Sequence, residues 1–234
     1  MKYQVTFETK CYEKDWRVLL KTDRLQRAVS LNKYPFSEVI LYINNVNDVA
    51  EVSFYAQRLV DSGVLTKFEV VDDYADEALH YFQIDKDSFA GGYYYSIAEL
   101  VSIYRCQTPY LLHFSGDSIL ESTFSWIDEA ISRMEQNPCI KVANPVWNRR
   151  YVEAMLEAGS EDELFYIGYG FSDQCYLVNV QDFKHANYNQ THPASRRYPA
   201  YGGELFEKRV DSWMRHNGFK RLTFKYGSYV HPCY

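Results

Sequence analysis

The stretch YLLHFSGDSIL, residues 110–120, carries one acid, Asp117, directly behind an apolar run. Tyr110, Leu111, Leu112, His113 and Phe114 read as a strand apolar enough to lie inside a sheet, and the carboxyl end of such a strand opens on the crevice where α/β sheets bind ligands. Asp117 therefore has two readings, an acid facing a ligand or a cap on a turn or on the next helix. Two further acids stand in GGELFEKRVDSWMRHNG, residues 202–218, where Glu204 and Glu207 are three apart on one helix face. They are either chemically employed or ordinary first-turn acids favoured by the helix macrodipole. NNVND, residues 44–48, places Asn44, Asn45 and Asn47 after a second apolar run, as polar groups for a ligand or as a plain turn. Asp72 and Asp73 close a third run, where they reach a ligand or form a solvated rim. Arg196 and Arg197 lie in the loop-like HPASRRYPAYGG and offer bidentate donors for a phosphate, if they are more than surface arginines.

The elements that must position these residues follow from periodicity. Alternation in YQVTFET, residues 3–9, predicts a strand, and WRVLLKTDRLQRAVSLN, residues 16–32, a helix. EVILYINNVND, residues 38–48, is a strand running into an Asn-rich turn; residues 50–65 form an amphipathic helix closed by Gly63; residues 67–74 are a third strand. YYYSIAELVSIYRCQ is a helix that Pro109 ends just before the strand leading to Asp117, and residues 122–138 are a helix bounded by Ser122 or Thr123 and Pro138. Residues 140–148 and 173–183 read as strands around a loop-rich middle, and residues 204–218 as a helix closed by Gly218. This alternation marks βαβ units and a mainly parallel sheet flanked by helices.

Composition excludes several function classes. The formal charge of −6 disfavours a generic nucleic-acid binder, which needs a basic footprint. Five cysteines, at positions 11, 106, 139, 175 and 233, form no CxxC pair, so neither a zinc knuckle nor a disulfide framework is expected, and a reducing cytoplasm fits. The N-terminus lacks the apolar core of a signal peptide, and no apolar run reaches the ~20 residues that cross a bilayer, so membrane contact is at most peripheral. The 22 Tyr and 14 Phe are more than packing usually requires, and such rings suit a sugar or base site as well as a core.

The order strand, helix, strand, helix, strand, then a helix feeding a strand that ends Ser115-Gly116-Asp117, resembles the GT-A fold glycosyltransferases, in particular the family-two-like group. The resemblance implies a single α/β domain over residues 1–234 with a Rossmann-like sheet, residues 1–120 binding the nucleotide sugar and 121–234 facing the acceptor. Members place a DxD-type motif at this point, whose acids hold a divalent cation against the diphosphate of the donor. Here Ser115 stands where the first acid would be, so only Asp117 carries over from that motif as a metal ligand. The 202–218 stretch is similar to the family's Gly-rich loop, acidic helix start and closing Gly. In inverting members a carboxylate there is the catalytic base, which implies Glu204, directly after the glycines, or next to it in rank Glu207, whose spacing to Gly218 fits better.

GT-A enzymes often add a late histidine to the metal, and SYVHPCY offers His231, the other reading being an idle terminal side chain. One Asp suffices for Mg²⁺, which takes few carboxylates besides phosphate, and Mn²⁺ suits a set that includes the imidazole. The nucleotide would lie across the carboxyl ends of the first two strands, which nominates Thr9, Lys10, Asn44, Asn45 and Asn47, with Asp73 near the base or ribose and Ser115 beside the diphosphate. Ser172, Asp173 and Gln174 are placed to touch the donor sugar or the acceptor, which would be a carbohydrate, a glycolipid or a small molecule. Two rival readings are a nucleotidyltransferase, against which FETKCYEKDW lacks the Gly-rich phosphate loop, and a non-catalytic nucleotide- or sugar-binding domain that has lost the first metal acid.

Overall fold

The computed structural model describes residues 2–186, 188–199 and 202–231. The first strand, β1 (Val5–Cys11), is buried along nearly its whole length. It pairs in parallel with β2 (Glu38–Ile43) on one side and β4 (Tyr110–Ser115) on the other. β3 (Lys67–Val70) extends the sheet beyond β2, again in parallel. Past β4 come β9 (Cys175–Asn179), antiparallel to both neighbours, then β6 (Ile140–Trp147) and β10 (Lys220–Val230), parallel to each other. β8 (Phe165–Gly168) and β7 (Ala158–Glu161) complete the order β3-β2-β1-β4-β9-β6-β10-β8-β7, and β5 (Ile119–Leu120) pairs with the end of β10. Only β5, β8 and β9 run against the others, so the sheet is mixed and mainly parallel, as the alternation predicts. The chain fills β2 and β3 on one side of β1 and returns to β4 on the other, which makes the carboxyl ends of β1 and β4 the switch-point crevice.

Side chains alternate faces along each strand, and the sheet carries one apolar layer on each face. Val5 and Phe7 of β1 pack with α1 (Trp16–Lys21), α3 (Val49–Asp61) and α6 (Ile127–Gln136). Ile40 and Tyr42 of β2 face the opposite layer of α4 (Ala75–Phe82), α5 (Ile97–Arg105) and α9 (Phe206–His216). Each fully buried aromatic or aliphatic side chain contributes about 1.5–3 kcal/mol.

The structure differs from the periodicity reading in several places, beginning with the helix expected over 122–138, which starts only at Ile127 and is capped by neither Ser122 nor Thr123. The helix expected over 16–32 is two, α1 and α2 (Arg24–Ser30), because Thr22 turns extended: its Oγ1 donates to the Val18 carbonyl at 2.6 Å and accepts from the Arg24 N–H at 3.2 Å. A hydroxyl that bonds backbone on both sides competes with the helix ladder. The run 67–74 leaves the sheet at Val70 and turns through a 3-10 segment, Val71–Asp73, into α4, an unexpected helix. The run 173–183 is β9 followed by α8 (Val180–Lys184), since the Asn179 side chain accepts from the Gln181 and Asp182 N–H groups and caps a helix. The middle and the end hold unforeseen elements: α7 (Tyr151–Leu156), the β7–β8 hairpin, and β10, with a register break between Phe224 and Ser228. Among the described residues no helix is long and apolar enough to cross a membrane.

Candidate active site

Asp117 lies at the mouth of the β1–β4 crevice, just past the end of β4. Its Oδ1 accepts from Ser115 Oγ at 2.9 Å, and its Oδ2 faces His231 Nε2 at 2.7 Å. The meeting follows from register: β5 pairs Leu120 with Tyr229 and Ile119 with Val230, and continuing that ladder sets His231 beside the Asp117 turn. Asn148 fixes the approach from a third element, its Oδ1 accepting the His231 N–H at 2.9 Å and its own N–H donating to the Tyr229 carbonyl at 2.7 Å. Asn148 and Arg149 both hold positive φ, +46° and +60°, backbone strain of a kind that collects at functional sites. Hydrogen bonds from His231 and Ser115 hold the Asp117 carboxyl below its usual range against the opposing effect of burial, and Asp117 in turn raises the imidazole.

Beneath this pair sits Asp15, which the sequence reading missed. Its Oδ1 accepts from the Tyr12 N–H at 2.8 Å, and burial, with Asp117 adding repulsion, pushes its carboxyl up to about 7. Among the described residues no group of three or more His, Cys, Asp or Glu side chains is placed to hold a metal. The Asp117–His231 pair is nevertheless a fitting edge of a cation site: one carboxylate oxygen and one imidazole nitrogen converge, both partly exposed, and leave the remaining positions to phosphate oxygens and water.

The second acid centre is Glu207, in the first turn of α9. It lines a cavity of about 410 Å³ with Ser172, Gln174, Arg197, Tyr198, Arg221 and Tyr229, among others. Burial, and next the Asp173 carboxylate, push the Glu207 carboxyl up to about 9, while a hydrogen bond from the Asp173 backbone and the charge of Arg197 oppose the shift. Asp173 also bears on His231 and on Lys10, so this one carboxylate is felt at both acid centres. Glu204, ranked first from the sequence, is elsewhere: its Oε1 accepts from Lys208 Nζ at 2.5 Å and it does not line the cavity.

The remaining sequence candidates divide. Ser115 supports Asp117, and Ser172 Oγ shares a hydrogen bond with the Tyr229 hydroxyl at 3.1 Å. Thr9 and Lys10 lie within β1 rather than after it; Thr9 is buried, and Lys10 Nζ is ion-paired with the fully buried Glu99 of α5. Asn44 is buried, its Nδ2 donating to the Tyr94 carbonyl at 2.8 Å. Asn45 adopts a left-handed turn, φ +50°, and the Asn47 N–H donates to Glu13 at 2.9 Å, so both do the work of a turn. Asp72 and Asp73 are exposed in the 3-10 segment after β3, and Arg196 is exposed on the turn that sends Arg197 to the cavity.

No protein-family model and no curated protein matches the sequence. Solved structures do match the fold. GalNAc-T7 with UDP, GalNAc and Mn²⁺ is similar over 98% of this chain and 44% of that one, with a TM-score of 0.58 and 9% identity. The mannosyltransferase PcManGT from Pyrobaculum calidifontis, with GDP-Man and Mn²⁺, is similar over 98% of this chain and 57% of that one, at 0.57 and 8%. Glucosyl-3-phosphoglycerate synthase from Mycobacterium tuberculosis, with Mn²⁺, UDP and glucosyl-3-phosphoglycerate, is similar over 100% and 73%, at 0.50 and 12%. The chain has the fold of the GT-A glycosyltransferases. It spans less than two thirds of the length of the first two.

Proposed function

We propose that the protein transfers a sugar from a nucleotide-diphosphate donor to an acceptor hydroxyl. Asp117 and His231 are the residues that would hold a divalent cation, Mn²⁺ or Mg²⁺, and Glu207 is the base. The observation that carries the reading is the convergence of Asp117 Oδ2 and His231 Nε2, from distant parts of the chain, at the switch-point crevice. When bound, a divalent cation there neutralises the charge that builds on the leaving diphosphate. Ser115 and Asn148 orient the two ligands.

Glu207 is preferred over Glu204 because it lines the cavity and Glu204 is occupied by Lys208. A carboxyl raised to about 9 is a strong base once ionised and can take the proton of an attacking hydroxyl as the new bond forms. A single displacement of that kind inverts the anomeric centre. Residues 1–120 would hold the nucleotide and residues 121–234 the acceptor, a carbohydrate, a glycolipid or a small molecule. Free thiols at Cys11, Cys106, Cys139 and Cys175 suit a reducing cytoplasm.

The test is a thermal-shift screen of UDP, GDP and CMP with and without Mn²⁺, followed by a transfer assay that reads the anomer of the product. Cation-dependent stabilisation by a nucleoside diphosphate and turnover of its sugar donor are expected. Binding without turnover on any acceptor would favour the non-catalytic reading, which draws on Ser115 standing at the first acid position. Pyrophosphate release from a nucleoside triphosphate would replace the proposal with a nucleotidyltransferase.

A further inference from the structure

The cavity beside Glu207 contains a feature that sugar transfer does not itself require. Arg197, from the 3-10 turn Pro193–Arg197, and Arg221, from β10, converge on Gly170. A methyl group on Gly170 would stand 2.4 Å from Arg197 Nη2 and 3.1 Å from Arg221 Nη1, so the site is open to both guanidinium groups only because no side chain is there. Two cations held this close call for a shared anion, and the protein supplies Glu157: its Oε1 meets Arg197 Nη1 at 3.2 Å and its Oε2 meets Arg221 Nη2 at 3.3 Å. Both contacts are long for charge-assisted hydrogen bonds, which run at about 2.7–2.9 Å. Glu157 is partly exposed at the end of the short surface helix α7, whereas the Arg221 side chain is 5% exposed. Arg221 Nε has no partner among the described residues, an unused donor on a buried cation in the cavity wall. A buried donor left unpaired is costly, and Glu157, which meets only Nη2 of Arg221, does not satisfy it. Burial, together with the charge of Arg197, lowers the proton affinity of Arg221, which points the same way.

We propose that the acceptor carries a carboxylate or phosphate, and that Arg197 and Arg221 grip this anion after Glu157, their internal stand-in, swings aside. The proposal rests on the glycosyltransferase reading. The anion is assigned to the acceptor rather than to the donor because the two arginines share their cavity with the base Glu207, while Asp117 and His231 are not among the residues that line it. An anion gripped there would set a neighbouring hydroxyl of the same molecule against Glu207, so the arginines select the acceptor by charge and orient it by the planar fork of two guanidinium groups.

The test titrates glycerol 3-phosphate against glycerol, and D-glucuronate against D-glucose, into the full chain by calorimetry, with and without UDP or GDP and Mn²⁺. One or both anions are expected to bind at least tenfold more tightly than the neutral counterpart, and which one does so separates phosphate from carboxylate. Arg197→Gln should weaken the anion at least tenfold. Glu157→Gln should strengthen it severalfold, a gain that a merely structural ion pair would not give. Both substituted side chains are partly exposed, so folding is not at stake. Equal affinity for anionic and neutral probes, weaker anion binding in Glu157→Gln, or displacement of the anion by the nucleotide would each overturn the proposal, the last by placing the arginines on the donor diphosphate. Failure of the glycosyltransferase reading shows separately, as the absence of any stabilisation by UDP, GDP or CMP with Mn²⁺.

Discussion

Glu207→Gln is expected to stabilise the protein at alkaline pH while removing its activity. The Glu207 carboxyl is pushed up to about 9 from 4.5, first by burial and then by Asp173. A raised acid binds its proton more tightly in the folded than in the unfolded chain. Its stabilising share is therefore complete below pH 4.5 and is lost progressively as pH climbs to about 9. Each pH unit in that window is worth up to about 1.4 kcal/mol, so the whole shift from 4.5 to about 9 would amount to about 6 kcal/mol near pH 9. The side chain keeps some access to solvent, and screening there reduces the expected effect to about 2–3 kcal/mol. Glutamine keeps the shape and has no such proton to lose. At about 2–4 °C per kcal/mol for a chain of this size, the variant should melt with the wild type near pH 4.5 and about 5–10 °C above it near pH 9. Loss of the proton acceptor should lower transfer by about 10²–10⁴-fold, and the wild-type rate should rise with pH toward about 9 while the variant's stays flat. Paired calorimetry and transfer assays across that range check both halves. A melting difference that ignores pH, or a variant less stable than wild type at pH 9, refutes the burial reasoning. Undiminished transfer refutes the role as base.

Three further outcomes follow from named contacts. Asp117→Asn should reduce the Mn²⁺-dependent part of nucleoside-diphosphate stabilisation by about tenfold or more in apparent affinity, since replacing even supporting groups around a metal costs about 10–100-fold; thermal shifts with and without Mn²⁺ measure it, and an unchanged cation response would remove Asp117 from the site. Lys10→Met leaves Glu99 buried and unpaired and should destabilise by about 3–5 kcal/mol in denaturant titration, whereas Lys10→Met with Glu99→Leu should recover most of the loss; equal loss in both would show that the ion pair is not the cause. Gly203→Ala forces a side chain onto φ +74°, with its Cβ 2.4 Å from the Phe89 carbonyl and 2.5 Å from that of Ala90. Overpacking against backbone costs about 1–3 kcal/mol and the left-handed φ about 1–2 more, so melting should fall by about 5–15 °C, and a change under 2 °C would contradict the close approach.

The apolar runs and their periods determined much of this protein on their own. β1, β2, β4 and β6, the helices α3, α5, α6 and α9, and an acid placed where a buried strand opens on a crevice all follow from interactions within about a dozen neighbouring residues. Local hydroxyl and amide chemistry at Thr22 and Asn179 already blurred that reading, because one side-chain hydrogen bond to the backbone outweighs a continuing apolar pattern. What only the tertiary structure decided is which distant residues meet. His231 reaches Asp117 through the register of β5 on β10, Lys10 is claimed by Glu99 across β1 and α5, and Arg221 joins Arg197 and Glu157 from separate elements. The choice between Glu204 and Glu207 was likewise undetermined by sequence, since both acids fit the same helix start and only the folded chain, which packs the 193–197 turn on α9 and brings Arg221 and Tyr229 of β10 to the same cavity, sets one against that cavity and leaves the other to Lys208. Strand order and register fix such pairings, and neither is written in the period of any single segment, because a period names the buried face of an element but not the element that will cover it.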